Sequence, residues 1–284
     1  MAQEERHLSF PMADGHRADI SAPVELAAVL SELQSYFGMA DTPGDRKICQ
    51  LCPFTENDSK RLYPESNFFQ AETAEKNGFA KIFIKKLPQD ELKKVSMAKR
   101  IILISLLDDL LKRKVFFFHG ALAADNNGRG VLFCGPSGVG KSTAVTKAGK
   151  IWKILADDMV LLTLHENKFY AQPLPTWSTY ISDKERLCQC DIQQIVQLDR
   201  IVVLSREGEL GLSTLSPHDG ALMIANSFIE MISWHASLLR DKNLLTQLRI
   251  AAFDAVSQIS RVCRCDKLVS TLEMDICPLL QDKF

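Results

Sequence analysis

One stretch near the middle of the chain limits the fold more than any other. Residues 135–143 read Gly-Pro-Ser-Gly-Val-Gly-Lys-Ser-Thr, a complete match to the phosphate-binding loop pattern GxxxxGK[ST]. The apolar run 131–134 before it predicts a strand, and residues 143–150 after it predict a helix. Because the pattern functions in this strand, loop and helix order, the sequence predicts an α/β fold with a nucleotide site.

The residue types of this stretch have separate physical roles. Glycines let backbone N–H groups turn inward around phosphates, and the helix N-terminus adds partial positive charge. Lys141 can reach the terminal phosphates, and the Ser142 hydroxyl can ligate Mg²⁺. We therefore expect ATP and Mg²⁺ as cofactors, bound by Gly135, Pro136, Ser137, Gly138, Val139, Gly140, Lys141, Ser142 and Thr143.

A pair of carboxylates, Asp157 and Asp158, follows the next predicted strand, residues 152–156. Strands in open α/β sheets present their carboxyl ends to the ligand crevice, so this pair should face the phosphates. In phosphoryl transfer one carboxylate could hold Mg²⁺ and the other could accept a proton from the attacking hydroxyl. The alternative is an acidic turn at a strand end without a chemical role.

A histidine precedes the loop in a predicted hairpin. Residues 115–123 and 130–134 predict two strands, and Asn127-Gly128 between them is the pair that a type I′ turn favours. Counting back across this hairpin places His119 opposite residues 134–136, where the loop begins. The imidazole would then lie near the terminal phosphate, although a purely structural histidine is the alternative.

The block made of His119-Gly-Ala-Leu, the loop and Leu155-Ala-Asp-Asp158 resembles the catalytic domain of HPr kinase/phosphorylase, whose P-loop fold is related to phosphoenolpyruvate carboxykinase. The resemblance is strong over residues 115–165 and implies a mixed central sheet flanked by helices. It also implies ATP-dependent phosphorylation of a protein serine, with Asp158 as the base, His119 and Lys141 assisting at the phosphate, and Asp157 with Ser142 near the metal. Proteins of this kind often form oligomers.

The sequence departs from that family downstream of the carboxylates. The signature Arg-Gly-x-Gly, with its Glu at the metal, is replaced at residues 172–178 by Gln-Pro-Leu-Pro-Thr-Trp-Ser, a predicted loop that would form either a recognition surface or a pinned crossover. This argues against phosphorylase activity and against HPr as the substrate. The variant is similar to kinase-like members of peptide-modification cassettes such as the ScmC proteins of SynChlorMet cassettes, which accompany radical-SAM enzymes and a PqqD-like carrier.

The first 90 residues predict a smaller α+β region, and residues 91–284 predict the P-loop domain. Two short strands around the Asp14-Gly15 turn precede a helix that should start at Ser21 and end at Gly38. Residues 40–65 predict a loop because of their scattered prolines and charges, residues 79–85 predict a strand, and Asp90 should cap a helix that reaches about residue 112. Downstream, residues 199–205 and 261–265 predict strands, and residues 218–239 and 244–260 predict helices.

Charge, targeting signals and cysteine content limit which partners and which location can be expected. With 34 basic and 35 acidic residues and no long basic stretch, nucleic acid is not expected as a partner. No apolar run is long enough for a membrane span, and the charged N-terminus lacks the apolar segment of a signal peptide, so a cytoplasmic location is expected. Eight cysteines are present. Cys49 and Cys52, with a CxC pair (188/190 or 263/265), could form a zinc site, but buried reduced thiols are the favoured interpretation.

Three functions are consistent with these patterns. The leading one is an ATP- and Mg²⁺-dependent kinase that acts on a hydroxyl, a serine by the resemblance, of a peptide or small protein. The second is a nucleotide-gated module that presents a peptide to partner enzymes without phosphorylating it. The third is a kinase of small molecules, which would need a closed pocket in place of an open groove.

Overall fold

The computed structural model describes residues 4–54, 68–72, 79–106, 113–174, 191–238 and 242–281. Its strands are β1 Glu5–Pro11, β2 Arg17–Pro23, β3 Arg46–Pro53, β4 Phe69–Glu72, β5 Ala80–Ile84, β6 Val115–His119, β7 Ala121–Ala124, β8 Gly130–Cys134, β9 Lys153–Ala156, β10 Met159–His165, β11 Lys168–Leu174, β12 Val196–Ser205, β13 Gly211–Thr214 and β14 Arg264–Val269. Its helices are α1 Ala27–Phe37, α2 Glu91–Ser105, α3 Lys141–Ala148, α4 Pro217–Leu238, α5 Lys242–Val262 and α6 Cys277–Gln281.

The described strands form two mixed sheets flanked by helices, as expected for the α/β class. The smaller sheet has the order β1-β2-β3-β5-β4, and the larger has the order β6-β10-β11-β12-β8-β7-β9, with β14 added beside β12 and β13 beside β14. Strands β8, β12 and β14 run parallel. Their carboxyl ends therefore meet at one edge of the sheet, which is where ligands bind in open α/β sheets.

Two bends bring distant residues to that edge. Strand β6 pairs with β10, but after Gly120 the chain continues as β7, which pairs with β8 and β9. A Cβ atom at Gly120 would lie 2.7 Å from the Phe133 carbonyl oxygen, so the close approach requires glycine. The chain bends again at residues 157–158, between β9 and β10, and the Gly120 N–H donates to the Asp158 carbonyl at 2.9 Å. Both bends lie beside the end of β8.

Helix α2 packs between the two sheets. Asp90 caps it as predicted, because the carboxylate accepts a hydrogen bond from the Lys93 N–H at 3.0 Å. One hydrophobic cluster joins Ile20 of the smaller sheet, Ile101 of α2 and Leu161 of the larger sheet. The polar face of α2 lies near the two bends described above. The division of the chain into two regions at residue 90 stays a prediction.

Several local predictions were wrong in ways that have a physical cause. Residues 46–53 form β3 and not a loop, because partner strands on both sides satisfy its backbone. Strand β2 continues through Pro23, and a 3₁₀ turn at Val24–Leu26 then leads into α1 at Ala27, so the helix starts later than Ser21. Gly38 ends α1 in the left-handed conformation as predicted. In the turn before β8 only Gly128 has a positive φ, 75°, so it is not type I′. The positive φ pair of such a turn occurs instead at Glu166 and Asn167, between β10 and β11.

The stretch read as a loop over residues 172–178 is also partly a strand. Gln172, Pro173 and Leu174 pair with Leu161, Val160 and Met159 at the end of β11. Gln172 is buried, and its side-chain amide donates to the carbonyls of Pro11 and Ile192. These three residues are therefore structural, while the rest of the stretch, with Trp177, lies outside the described residues.

The remaining elements agree with the expected order. The strands predicted at residues 79–85 and 199–205 are β5 and β12, and the two long helices are α4 and α5. The last predicted strand lies slightly later, as β14. The sequence analysis did not predict strands β4 and β13 or helix α6.

The helix after the glycine-rich loop is anchored to the C-terminal segment by a lysine. The Lys147 ammonium donates to the carbonyls of Thr271, Leu272 and Met274 at 3.3, 2.6 and 2.8 Å. The apolar residues Ile276 and Leu280 pack in the same cluster as Val145 of α3. The C-terminal segment thus supports α3 from the side opposite the loop edge.

Replacing this lysine should weaken that support. Lys147→Met keeps most of the aliphatic stem but removes three charge-assisted hydrogen bonds, so we expect the free energy of unfolding to fall by about 1–2 kcal/mol. Urea titration measures the loss. Lys150→Met, on the exposed residue that follows α3, is the matched control and should change stability little. Equal stability of the two variants would show that the carbonyl contacts contribute nothing.

Candidate active site

The GxxxxGK[ST] stretch forms a loop, residues 135–140, between β8 and α3, which we call the glycine loop. Gly135, Gly138 and Gly140 have φ angles of 142°, 74° and 109°, values that favour glycine. Gly135 also lies against β12, where an added Cβ would come within 2.7 Å of the Leu204 carbonyl oxygen. The strand, loop and helix order predicted from the sequence is confirmed, with α3 starting at Lys141.

Lys141 is folded back over the glycine loop. Its ammonium donates to the Gly135 carbonyl at 2.9 Å and to the Pro136 carbonyl at 3.2 Å, and the residue is 8% exposed. Ser142 and Thr143 follow in the first turn of α3 and are exposed. A phosphate at this helix N-terminus would therefore meet backbone N–H groups, one ammonium and two hydroxyls.

The two bends bring His119 and Asp158 together beside the glycine loop. Nε2 of His119 lies 3.2 Å from Oδ1 of Asp158. Met159 pairs in register with His119, which fixes this approach. The hairpin count that set His119 opposite residues 134–136 assumed one continuous strand, and this was wrong because β6 leaves β8 at Gly120. The structure brings His119 to Asp158 through the neighbouring strand β10, and its place near the terminal phosphate stays a prediction.

A lysine that the sequence analysis did not single out completes this cluster. Nζ of Lys99, on α2, lies 4.0 Å from Oδ2 of Asp158, and its side chain is 19% exposed. Lys99 occurs in a helix with other lysines and nothing in the local pattern distinguishes it. Only the packing of α2 against the larger sheet shows that it faces Asp158.

The charges around Asp158 set its protonation. Burial would raise the pKa of Asp158, but the hydrogen bond with His119 and the positive charges of Lys99 and Lys141 outweigh burial and lower it. Burial also lowers the pKa of Lys99, and Asp158 offsets part of that effect. Asp158 is therefore an ionised carboxylate at neutral pH, able to accept a proton. Its backbone bonds to Gly120, which lies against the Phe133 carbonyl at the end of β8, so the residue lies near the start of the glycine loop.

Asp157 lies at the same bend and is half-buried. The bend places it at the edge where the glycine loop lies, and its assignment to the metal with Ser142 stays a prediction. The residues present fit an ATP-Mg²⁺ site: a loop whose glycines adopt the required φ angles, a lysine at its centre, a hydroxyl at the helix start and carboxylates at the neighbouring bend.

A second residue missed by the sequence analysis lies on the other flank of the loop. Arg206 directly follows β12, and its Nη2 donates to the Gly138 carbonyl at 2.5 Å. The strand that ends at Ser205 was predicted, but its place beside β8 depends on a sheet order that a single sequence does not encode.

The cysteines do not assemble a metal site in the part of the chain that the structure describes, where no group of three or more His, Cys, Asp or Glu side chains could hold one. Cys49 is buried and Cys52 is half-buried, three residues apart on β3, so their side chains point to opposite faces. Burial raises the pKa of Cys49 to about 12, which keeps it a neutral thiol. Cys188 and Cys190 lie outside the described residues.

Among the described helices, none is both long enough and apolar enough to cross a membrane.

Comparison with known proteins gives three results. A search of curated proteins finds no match. Among solved structures the chain is similar to the HPr(Ser) kinase/phosphatase from Coxiella burnetii, at 16% identity and a TM-score of 0.26, over 35% of this chain and 71% of that chain. The family described as SynChlorMet cassette protein ScmC matches residues 83–273, more than half of the 284 residues, including the glycine loop, both carboxylates, His119 and Lys99. The chain belongs to the ScmC family of SynChlorMet cassette proteins.

Proposed function

We propose that this protein is an ATP- and Mg²⁺-dependent kinase that transfers the γ-phosphate to a hydroxyl, most simply a serine, of a peptide or small protein. The observation that carries the proposal is the ionised Asp158, hydrogen-bonded to His119 beside the glycine loop. A carboxylate at the terminal phosphate is the group that phosphoryl transfer to a hydroxyl requires as proton acceptor.

Asp158 would take the proton of the substrate hydroxyl while that oxygen attacks the γ-phosphorus. The bond between the γ-phosphorus and the bridging oxygen breaks, ADP leaves, and the phosphate monoester remains on the substrate. His119 holds the carboxylate in place and can donate to a phosphate oxygen. Lys141 and the N–H groups of the glycine loop stabilise the charge on the transferred group. Mg²⁺, held by Ser142 and Asp157, would neutralise the β- and γ-phosphates.

The acceptor is proposed from the family. Because the matched family consists of cassette proteins, we propose that the phosphate acceptor is the peptide of the same cassette. We also propose radical-SAM and PqqD-like proteins of that cassette as partners. A cytoplasmic location and an oligomeric assembly are parts of the same proposal.

One observation supports a second candidate, a nucleotide-gated binding module without transfer activity. The HPr kinase signature, with its further metal carboxylate, is replaced here by residues 172–178, and the first of them, Gln172, is bonded to backbone carbonyls in the interior. This residue cannot reach a metal. A module of this kind would bind ATP and the peptide, and it would leave both unchanged.

A transfer assay with the peptide encoded beside this protein distinguishes the kinase from the binding module. Purified protein, Mg·ATP and that peptide are incubated, and the intact mass of the peptide is measured. A gain of one phosphate, absent without ATP, supports the kinase. If ATP and the peptide bind but the mass does not change, the binding module is the better description.

Lys99 should shape the pH dependence of this reaction. Transfer needs ionised Asp158, so activity falls as pH drops through its pKa, which in the wild type lies below the ordinary aspartate value. Lys99→Met removes a positive charge that lowers this pKa, so we expect the acid limb of kcat/KM to move to higher pH. Lys93→Met, on an exposed position of the same helix, should leave the limb unchanged. An unmoved limb in Lys99→Met would mean that Lys99 does not act through Asp158.

A further inference from the structure

An arginine lies against the glycine loop and has no part in the chemistry described above. Arg206 is exposed, and its Nη2 donates to the carbonyl of Gly138 at 2.5 Å. A guanidinium carries five N–H groups in a rigid fork, and one carbonyl engages only part of them. The residue thus combines a fixed anchor on the loop with further donors on an exposed surface.

The sheet order explains why Arg206 reaches the loop. Strands β8 and β12 run parallel with Cys134 beside Val203, so the residues that follow each strand leave the sheet at the same edge. The glycine loop follows β8, and Arg206 follows β12. Strand β7 lies on the other side of β8 and leads to the bend with His119 and Asp158. The loop is therefore flanked by the carboxylate cluster on one side and by Arg206 on the other.

This arrangement places a guanidinium on the flank of the glycine loop that faces away from the carboxylate cluster. The cluster side contributes the negative charge of Asp158 together with Lys99, and Lys141 lies within the loop. On the β12 flank, Glu207 and Glu209 follow Arg206 in the chain and are exposed. Lys267 of β14 approaches the same segment, its ammonium 3.3 Å from where a Cβ of Gly208 would lie. Arg206 lies on this flank and bonds to the loop itself.

We propose that Arg206 is a nucleotide-binding residue that contacts the phosphate chain from the β12 flank, opposite the base. The inference rests on the proposed nucleotide site. Gly138 holds the guanidinium beside the loop, and its remaining N–H groups bind phosphate oxygens, with the fork geometry that arginine offers and lysine lacks. Arg206 and Lys141 then bind the phosphates from two directions.

Binding measurements on the full chain test this assignment without any transfer assay. Dissociation constants for ATP, ADP and tripolyphosphate are measured by calorimetry in the wild type, Arg206→Gln, Arg206→Lys and Arg261→Gln. Arg261 is an exposed arginine on α5 and is the matched control. Loss of a charged hydrogen bond should weaken binding of all three by about 10- to 100-fold in Arg206→Gln, and by less in Arg206→Lys. Arg261→Gln should bind like the wild type.

The other outcomes overturn the assignment in different ways. If the wild type binds nucleotide and Arg206→Gln binds it equally well, Arg206 is not a nucleotide contact, and the proposed function is untouched. If ATP binding weakens but tripolyphosphate binding does not, the contact is with the nucleoside and not with phosphate. If a loss of thermal stability in Arg206→Gln accounts for the whole loss of binding, the arginine only braces Gly138. If the wild type binds no nucleotide, the proposed function fails first and this inference fails with it.

Discussion

Asp158→Asn is expected to bind Mg·ATP with nearly unchanged affinity and to transfer phosphate about 10²- to 10⁴-fold more slowly, the range for loss of a positioned general base. The substitution preserves the size of the side chain and its contact with His119, which lies 3.2 Å away. It removes the proton acceptor, together with the negative charge that faces Lys99. Single-turnover transfer to the cassette peptide, measured beside ADP binding, separates the two effects.

Two further substitutions make this result specific. Asp254→Asn changes an exposed carboxylate on α5 and should transfer phosphate at the wild-type rate. Asp157→Asn should instead raise the Mg²⁺ concentration needed for half-maximal transfer, because Asp157 is proposed to hold the metal. Unchanged transfer in Asp158→Asn would remove this residue from the role of base. An increased Mg²⁺ requirement in Asp158→Asn, and not in Asp157→Asn, would exchange the two assignments.

The glycine loop could be predicted from the sequence because its conformation is decided locally. Gly135, Gly138 and Gly140 have the φ angles that glycine tolerates, and the strand before them and the helix after them are encoded by adjacent residues. The carboxylates at the end of β9 could be predicted for a similar reason, since the strand that carries them is short and follows directly. In both cases the residues that determine the structure lie close to the site in the chain.

The rest of the site depends on contacts between segments that are far apart in the chain. Lys99 meets Asp158 only because α2 packs on the larger sheet, and Arg206 meets Gly138 only because β12 lies beside β8. No local pattern distinguishes these two side chains from other exposed-looking basic residues. Their roles follow from sheet order and helix packing, which a single sequence does not specify.

The same reasoning accounts for the two misread segments. Strand β3 begins with two basic residues and ends with a proline, yet Cys49 and Leu51 are fully buried between β2 and β5. Pro173 and Leu174 look like a loop in sequence, but the backbone pairs with β10 up to the bend at Asp158. Tertiary pairing overrides weak local preference in both segments. Residues 172–174 are therefore not part of a recognition loop, and for the rest of the stretch, outside the described residues, the choice between a recognition surface and a crossover stays open.

Lys141→Ala is expected to weaken both nucleotide binding and turnover. The ammonium is the positive charge inside the glycine loop, and removing a donor aimed at the charge that develops in the transition state costs about 10²- to 10³-fold in kcat. Affinity for ATP should fall by about 10-fold or more, because a charged hydrogen bond to phosphate is lost. Calorimetric titration with ATP and ADP, together with single-turnover transfer, measures the two losses separately.

The controls follow from what else Lys141 does in the structure. Its ammonium also bonds to the carbonyls of Gly135 and Pro136, so Lys141→Ala could act by loosening the glycine loop. Lys141→Arg keeps the charge and a donor for those carbonyls, and it should retain ATP binding better than Lys141→Ala if charge is the main contribution. Lys150→Ala, on the exposed residue after α3, should bind ATP like the wild type. An unaltered ATP affinity in Lys141→Ala would mean that the loop no longer binds phosphate, and the kinase proposal would have to be abandoned.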